Sequence, residues 1–329
     1  MIIVTGGAGF IGSNMLAALE ARGIFDLVVV DRLRNGLKWC NLARRELYAI
    51  INPDQIFSFL EKNAFKIKLI VHMGAVSSTT AVDADQVLVN NFSLSVALWE
   101  WCAENGVRLI YASSAATYGD GTAGFDDDFG SAHALSLLQP LSVYGWSKHL
   151  FDRWVWRRLA KGGTRPPQWV GLKFFNVYGP NEYHKGTQSS VVTQIFPSIM
   201  RGEPCVLFRS HDQRYPDGGQ MRDFIYVEDC TDVMLWLMDH PWISGLFNVG
   251  TGRARTFQDL ALAIYHVLDR EPCIHFIDTP LEIREQYQYF TQARMDRLRA
   301  VGYVQPFTEL EEGIGRYIST YLTASERYR

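Results

Sequence analysis

The stretch Ile2-Ile-Val-Thr5-Gly6-Gly-Ala-Gly9-Phe10-Ile11-Gly12 decides how the rest of the chain is read. Ile2 to Thr5 is a short β-branched run suited to a buried strand. The glycines follow at once. Phe10, Ile11, Met15, Leu16 and Leu19 then recur at helical spacing until Gly23 supplies a stop. Gly6 permits a tight turn, Gly9 lets the backbone approach a ligand, and Gly12 lets helix and strand pack closely. The helix start adds unpaired amides and partial positive charge, a ready place for a pyrophosphate. A second apolar run ends at Asp31, 19 residues beyond Gly12. A spacing of about 20 places an acid beside a ribose. The glycine turn by itself means no more than a tight turn; with its flanking strand, helix and acid it points to a dinucleotide.

Working outward, residues 69–71, 108–111 and 169–175 read as further strands, and 90–104 and 144–160 as helices. The alternation predicts an α/β protein with a Rossmann-like, doubly wound parallel sheet. After Asn176 the pattern is less regular. Residues 209–221 form a polar loop, and strands at 224–227 and 247–249 bracket a helix at 229–238. Helices at 257–268 and 309–321 belong to a smaller unit. The expected division is a dinucleotide-binding domain of residues 1–173 and 224–250, with an interleaved α/β C-terminal substrate domain of 174–223 and 251–329.

Composition narrows the function. The chain has 329 residues, 47% hydrophobic and 20% charged, with 32 Lys and Arg against 35 Asp and Glu. That balance gives no electrostatic case for nucleic acid or an anionic membrane surface. The five cysteines are scattered without a C-x-x-C pair, as in a reducing compartment. Neither they nor the eight histidines fall at metal-ligand spacing, so no metal is expected. The strand-like start leaves no targeting segment, and the longest apolar stretch is broken by Asp239, His240 and Pro241. A cytoplasmic protein is expected.

Asp31 alone favours a free 2′-hydroxyl, but Arg32, Arg34 and Lys38 follow and offer a clasp for a 2′-phosphate. NADP is therefore expected, with NAD left open. Tyr144 and Lys148 stand four apart at a helix start and share one face. A tyrosine of ordinary pKa about 10 is a poor base, and a neighbouring ammonium lowers it toward neutrality. Lys148 can also reach the nicotinamide ribose, and Ser114, at a strand end, can hold the substrate hydroxyl beside the phenol.

The motifs Gly6-x-x-Gly9-x-x-Gly12, Ser113-Ser114-Ala-Ala-Thr-Tyr118-Gly119, Tyr144-x-x-x-Lys148, Phe175-Asn-Val-Tyr-Gly-Pro180 and Arg222-Asp-Phe-Ile-Tyr226 resemble the extended short-chain dehydrogenase/reductases. Segments 74–80, 175–186, 247–254 and 287–293 resemble, more narrowly, the branch that epimerises an ADP-heptose at C6 for the lipopolysaccharide core. The resemblance implies oxidation to a transient ketone and re-reduction from the other face. It assigns catalysis to Tyr144, Lys148 and Ser114, with Lys185 as the second acid/base group. Cofactor contacts are implied for Phe10, Ile11, Met73, Gly74, Ala75, Val76, Ser77, Asn90, Val177 and Lys185. Substrate contacts are implied for Ser114, Asn176, Thr187, Gln194, Phe208, Arg222 and Tyr287, with Arg222 a pyrophosphate clamp. A homo-oligomer, as a pentamer, is also implied. Dehydratases of this kind carry an Asp-Glu pair where Ala115 and Ala116 stand, which removes the proton donor for elimination. A UDP-hexose 4-epimerase and a non-catalytic dinucleotide sensor remain the alternatives.

Overall fold

In a computed structural model of the chain, residues 1–128, 130–284 and 287–329 are described. The strands in chain order are β1 (Ile2–Thr5), β2 (Leu27–Val30), β3 (Ala49–Ile51), β4 (Leu69–His72), β5 (Arg108–Ser114) and β6 (Trp169–Phe174). They continue as β7 (Asn176–Tyr178), β8 (Cys205–Phe208), β9 (Met221–Tyr226), β10 (Gly245–Val249), β11 (Ala254–Thr256) and β12 (Ile274–Ile277). Among the described residues, seven strands make one sheet in the order β10-β6-β5-β4-β1-β2-β3. Every neighbouring pair in it is parallel. The chain moves outward from β1 to β3, then returns to add β4 on the other side of β1. That reversal opens a crevice at the C-terminal ends of β1 and β4, the usual ligand position in such sheets.

Alternation along β1 explains why both sheet faces are covered. Ile2 and Val4 face one core with Val29, Val71 and Met234, packed by helices α1 (Phe10–Ala21) and, further on, residues 227–239. Ile3 points the other way, into a core with Val28, Ile70, Leu98, Trp99 and Phe151. That second face is covered by α2 (Ile56–Asn63), α3 (Ala84–Leu88), α4 (Leu94–Asn105), α5 (Ala132–Ser136) and α6 (Val143–Ala160). Strands buried on both faces need apolar residues throughout, which is why β1 and β2 read as unbroken runs.

The smaller unit is built from α7 (Val191–Met200), α9 (Phe257–Val267) and the helix Leu310–Tyr317, with α8 (Val227–Asp239) leading back to the main sheet. Its core holds Tyr178, Val192, Phe196, Phe224, Leu260, Ile264, Ile314 and Tyr317. Strand β9 lies here, between β7 and β11, whereas β10 joins the main sheet. The division expected at residue 224 therefore falls inside β9.

Two sequence expectations change in detail. The helix expected from Asn90 begins earlier, at Ala84, and passes through a π-helical turn, Val89–Ser93, before α4. Asn91 sits in that turn and turns its side chain inward to hold Val76 and Ser147. The strand expected over 169–175 ends at Phe174; the Phe175 amide makes a last bond to the Val249 carbonyl of neighbouring β10, and the chain then leaves for the smaller sheet as β7. Among the described residues no helix is long and apolar enough to cross a membrane.

Candidate active site

The glycine turn runs from β1 into α1. Gly6 has φ +64°, and a Cβ there would lie 2.7 Å from Gly74 backbone. A Cβ on Gly12 would lie 2.3 Å from the Gly6 carbonyl oxygen, so any side chain would push helix and turn apart. Gly9 caps α1 without a side-chain hydrogen bond, which leaves the first-turn amides of Phe10, Ile11 and Gly12 to an outside acceptor. A cradle that excludes side chains and presents backbone donors fits a dinucleotide pyrophosphate. The loop after β4 lies alongside it. The Met73 amide bonds the Thr5 carbonyl, the Gly74 amide bonds Thr5 Oγ1, and Val76 is held at both backbone groups by Asn91. Ala75 and Ser77 flank these points in the same loop.

Asp31, just past the end of β2, already has partners within the chain. Its Oδ2 accepts from the Ala8 amide at 2.9 Å, and its Oδ1 pairs with Lys38 Nζ at 2.5 Å. Arg32 donates to Asn90 Oδ1 at 3.1 Å and pairs with Asp54 at 2.6 Å. Arg34 is exposed. Asp31, Arg32, Lys38 and Asn90 thus form one charged group at the edge of the crevice.

The second part of the site is the start of α6. Ser142 caps it, accepting from the Gly145 amide at 3.1 Å. Tyr144 lies beside Ser114 at the end of β5, close enough for the serine hydroxyl to act on the phenol. Lys148, one turn on and buried, donates from Nζ to the Ala112 carbonyl at 2.8 Å. Burial brings Lys148 down to about 8, against the opposing charge of Asp152. The expected lowering of the phenol does not appear. Burial pushes Tyr144 up, and the nearby Ser114 hydroxyl opposes this in part. Burial thus favours the neutral phenol at Tyr144.

Lys185 lies on the helical turn Tyr183–Gln188, half-buried, with Nζ 5.4 Å from the centre of the Phe10 ring. Phe10 opens α1, so Lys185 reaches the crevice beside the pyrophosphate cradle. Burial lowers its pKa, against Glu182. Glu182 itself is spent on the Ser190 amide and the Ser190 and Thr193 hydroxyls, which fixes this segment to the start of α7. Val177 stands half-buried on β7.

Arg222 is buried on β9 between two aromatic rings, 5.4 Å from Phe257 and 5.3 Å from Tyr287. Neither acid that could have neutralised it does so. Asp223 accepts from the Thr251, Gly252 and Ala293 amides, and Glu228 pairs with Arg329. Among the described residues no carboxylate forms an ion pair with Arg222, so its charge is left for an anion. Phe208 extends the group, edge-on to Tyr287 at 6.3 Å. Asn176 accepts from Thr291 at 3.4 Å. Thr187 and Gln194 form a separate group. Gln194 Nε2 donates to the Thr187 and Ser189 carbonyls, and both residues are exposed.

Several working residues escaped the sequence reading. Asn41 Nδ2 donates to the Ala8 and Asn181 carbonyls and approaches His184 Nδ1 at 3.2 Å, joining the glycine turn to the Lys185 segment. Gln188 donates to Ser78 Oγ at 2.5 Å, linking that segment to the loop after β4. Asn91 left one signal, a polar residue of weak helix preference in the middle of an apolar helical stretch. Asn41 and Gln188 left none, because their partners are backbone groups or hydroxyls far away in sequence.

Comparisons with known proteins show which family the chain resembles along its length. The model of the NAD dependent epimerase/dehydratase family matches residues 2–250. The chain is 48% identical over 330 residues to the ADP-L-glycero-D-manno-heptose-6-epimerase of Nitratidesulfovibrio vulgaris strain DP4, covering 100% of both. Among solved structures it is similar to Helicobacter pylori ADP-L-glycero-D-manno-heptose-6-epimerase. That match has a TM-score of 0.79 and 27% identity, and covers 97% of this chain and 95% of that one. It is also similar to MoeE5 in complex with UDP-glucose and NAD, with a TM-score of 0.75, 26% identity and coverage of 96% and 97%.

Proposed function

This chain belongs to the NAD-dependent epimerase/dehydratase family, and we infer from that premise that it converts ADP-D-glycero-D-manno-heptose to the L-glycero epimer at C6. The observation that carries the reading is the placement of Ser114 at the end of β5 beside Tyr144, with Lys148 one turn further along α6, at the C-terminal edge of the sheet. It rests also on full-length similarity to a heptose epimerase.

The hydrogen on a secondary alcohol carbon is not acidic, so inversion by proton abstraction is closed. A bound nicotinamide dinucleotide supplies a hydride acceptor for C6 and a donor for its return. The chain's own residues supply the rest. Ser114 holds the hydroxyl oxygen and Tyr144 exchanges its proton. Lys148 is the ammonium that favours the phenolate when Tyr144 acts as a base. Lys185, whose amine burial makes easier to deprotonate, serves the other face of the carbonyl. Burial pushes the phenol up and the amine down, so the two groups differ in how readily each holds its proton. Arg222, which has no carboxylate partner among the described residues, holds the nucleotide pyrophosphate and leaves the heptose to reach the crevice. We assign NADP as the dinucleotide, because Lys38 neutralises the acid that would repel a 2′-phosphate.

The test is incubation with ADP-D-glycero-D-manno-heptose, following C6 configuration by NMR. Appearance of the L-glycero product supports the assignment. Turnover of a UDP-hexose with no reaction of the heptose substrate would overturn it.

A further inference from the structure

Tyr144, Lys148 and Asp152 stand four residues apart along α6, and so on one face of that helix. The first two reach the crevice. Asp152 is fully buried behind them, where its Oδ2 pairs with Lys173 Nζ of β6 at 3.0 Å and accepts from Ser113 Oγ at 2.8 Å. Lys173 in turn donates to Thr117 Oγ1 at 2.6 Å and lies 4.7 Å from the centre of the Tyr118 ring. Thr117 donates to the Ser114 carbonyl at 2.8 Å. A chain of polar contacts therefore runs from α6 through a buried ion pair to the turn that carries Ser114. Asp152 Oδ1 has no hydrogen-bond partner among the described residues.

We propose that the buried Asp152–Lys173 pair is a positioning unit, which fixes the Ser114 turn against α6 and keeps Lys148 in its ammonium form. The inference rests on the reading of Lys148 given above. An ion pair with no access to water is a poor source of stability, because desolvating both charges offsets most of their attraction. Its place directly behind the reacting groups gives it another use. Lys148 is surrounded by groups that do not help it keep a proton. His72 of β4 is held neutral between Thr5 and Ser95, with its pKa down to about 3. Tyr144 and His149 share its helix, and burial pushes the first toward its neutral phenol and brings the second down to about 4. Lys173 is a like charge. Asp152 is the carboxylate whose field raises Lys148 against its burial.

The test measures kcat/KM against pH for the holoenzyme and its variants, on the alkaline limb where Lys148 loses its proton. Asp152→Asn removes the supporting charge and leaves Lys173 as an extra cation, so the limb moves to lower pH by about one unit, the low end of the effect of a close charge. Lys173→Met has the opposite sign. It frees the carboxylate at pH values where Asp152 is ionised, and the limb moves up. A merely structural role would lower yield or kcat without moving the limb in opposite directions. Either variant suffices if the other fails to fold, and a limb within about 0.2 unit of the parent's sinks the proposal, given that a close charge is worth more. If neither folds, the double variant, free of an unpaired buried charge, is expected to lose about tenfold in kcat with KM unchanged, as for a group acting in the transition state. An unchanged kcat there also overturns it. Lys148→Met separates the two claims. If it retains turnover, the role of Lys148 itself falls. If it is dead while the Asp152→Asn limb stays in place, the ion-pair inference alone falls.

Discussion

Lys38 reaches back to Asp31, Nζ to Oδ1 at 2.5 Å, so the acid at the end of β2 carries its own counter-ion. The pair sets the charge that an adenosine ribose meets. Replacing Lys38 by Ala leaves Asp31 unneutralised, which repels a 2′-phosphate and suits a free 2′-hydroxyl. Calorimetric titration of Lys38→Ala should show NADP+ weakened by about tenfold, a change of 1.4 kcal/mol. NAD+ should change by less than about threefold. Equal weakening of both would mean that Lys38 holds the loop and does not select the cofactor.

Tyr144 and Lys185 come from different elements, one on α6 and one on the turn Tyr183–Gln188. If each serves one face of the carbonyl, neither can replace the other. Tyr144→Phe and Lys185→Met should each cost about 10²–10⁴ in turnover, the usual contribution of a general acid or base. Circular dichroism and cofactor titration should be close to those of the parent, since neither side chain carries the core. A near-normal rate in either variant removes that residue from the mechanism.

The legible parts of the molecule were those whose signal is local. The glycine turn, the strand before it and the helix after it were readable because each glycine answers a backbone need within a few residues, as the Gly12–Gly6 contact shows. The Tyr144–Lys148 spacing was readable because a helix turns the interval of four into proximity. Distant pairings were not. That Asp31 spends its charge on Lys38, and that Asp152 meets Lys173 from another element, depends on rotamers and on sheet register. The π-helical turn at Val89–Ser93 escaped too, because its cause is the grip of Asn91 on Val76, across 15 residues. The phenol's direction of shift was misjudged for a related reason: proximity to Lys148 was visible in the sequence, but the burial that outweighs it was not.

Arg222 lies between the Phe257 and Tyr287 rings, with no described carboxylate as an ion-pair partner. The rings hold the guanidinium plane, Nη1 donates to the Met221 carbonyl at 2.9 Å, and the remaining donors can meet phosphate oxygens. Arg222→Lys keeps the charge and loses both the fork and the stacking. KM for the nucleotide sugar should rise about tenfold while kcat changes less than threefold, the pattern for binding used equally in ground and transition states. A fall in kcat with KM unchanged would place Arg222 at the reacting end instead.

His72 offers a test of the fold beneath the site. It is buried between Thr5 Oγ1 at 2.6 Å and Ser95 Oγ at 2.9 Å, tying the end of β1 to α4, and burial takes its pKa from 6.5 to about 3. A histidine depressed in the folded state stabilises the fold above its unfolded pKa. That contribution is lost progressively as pH falls from about 6.5 toward 3, because the unfolded chain takes up the proton first. His72→Gln cannot titrate, and should be less stable than the parent at pH 7 by about 1–3 kcal/mol for the disturbed buried hydrogen bonds. Denaturant unfolding at pH 7 and pH 5 should then show the gap between the two proteins narrowing in acid. A constant gap across that range would show that His72 is protonated in the folded protein, with one of its two hydroxyl partners accepting the added hydrogen.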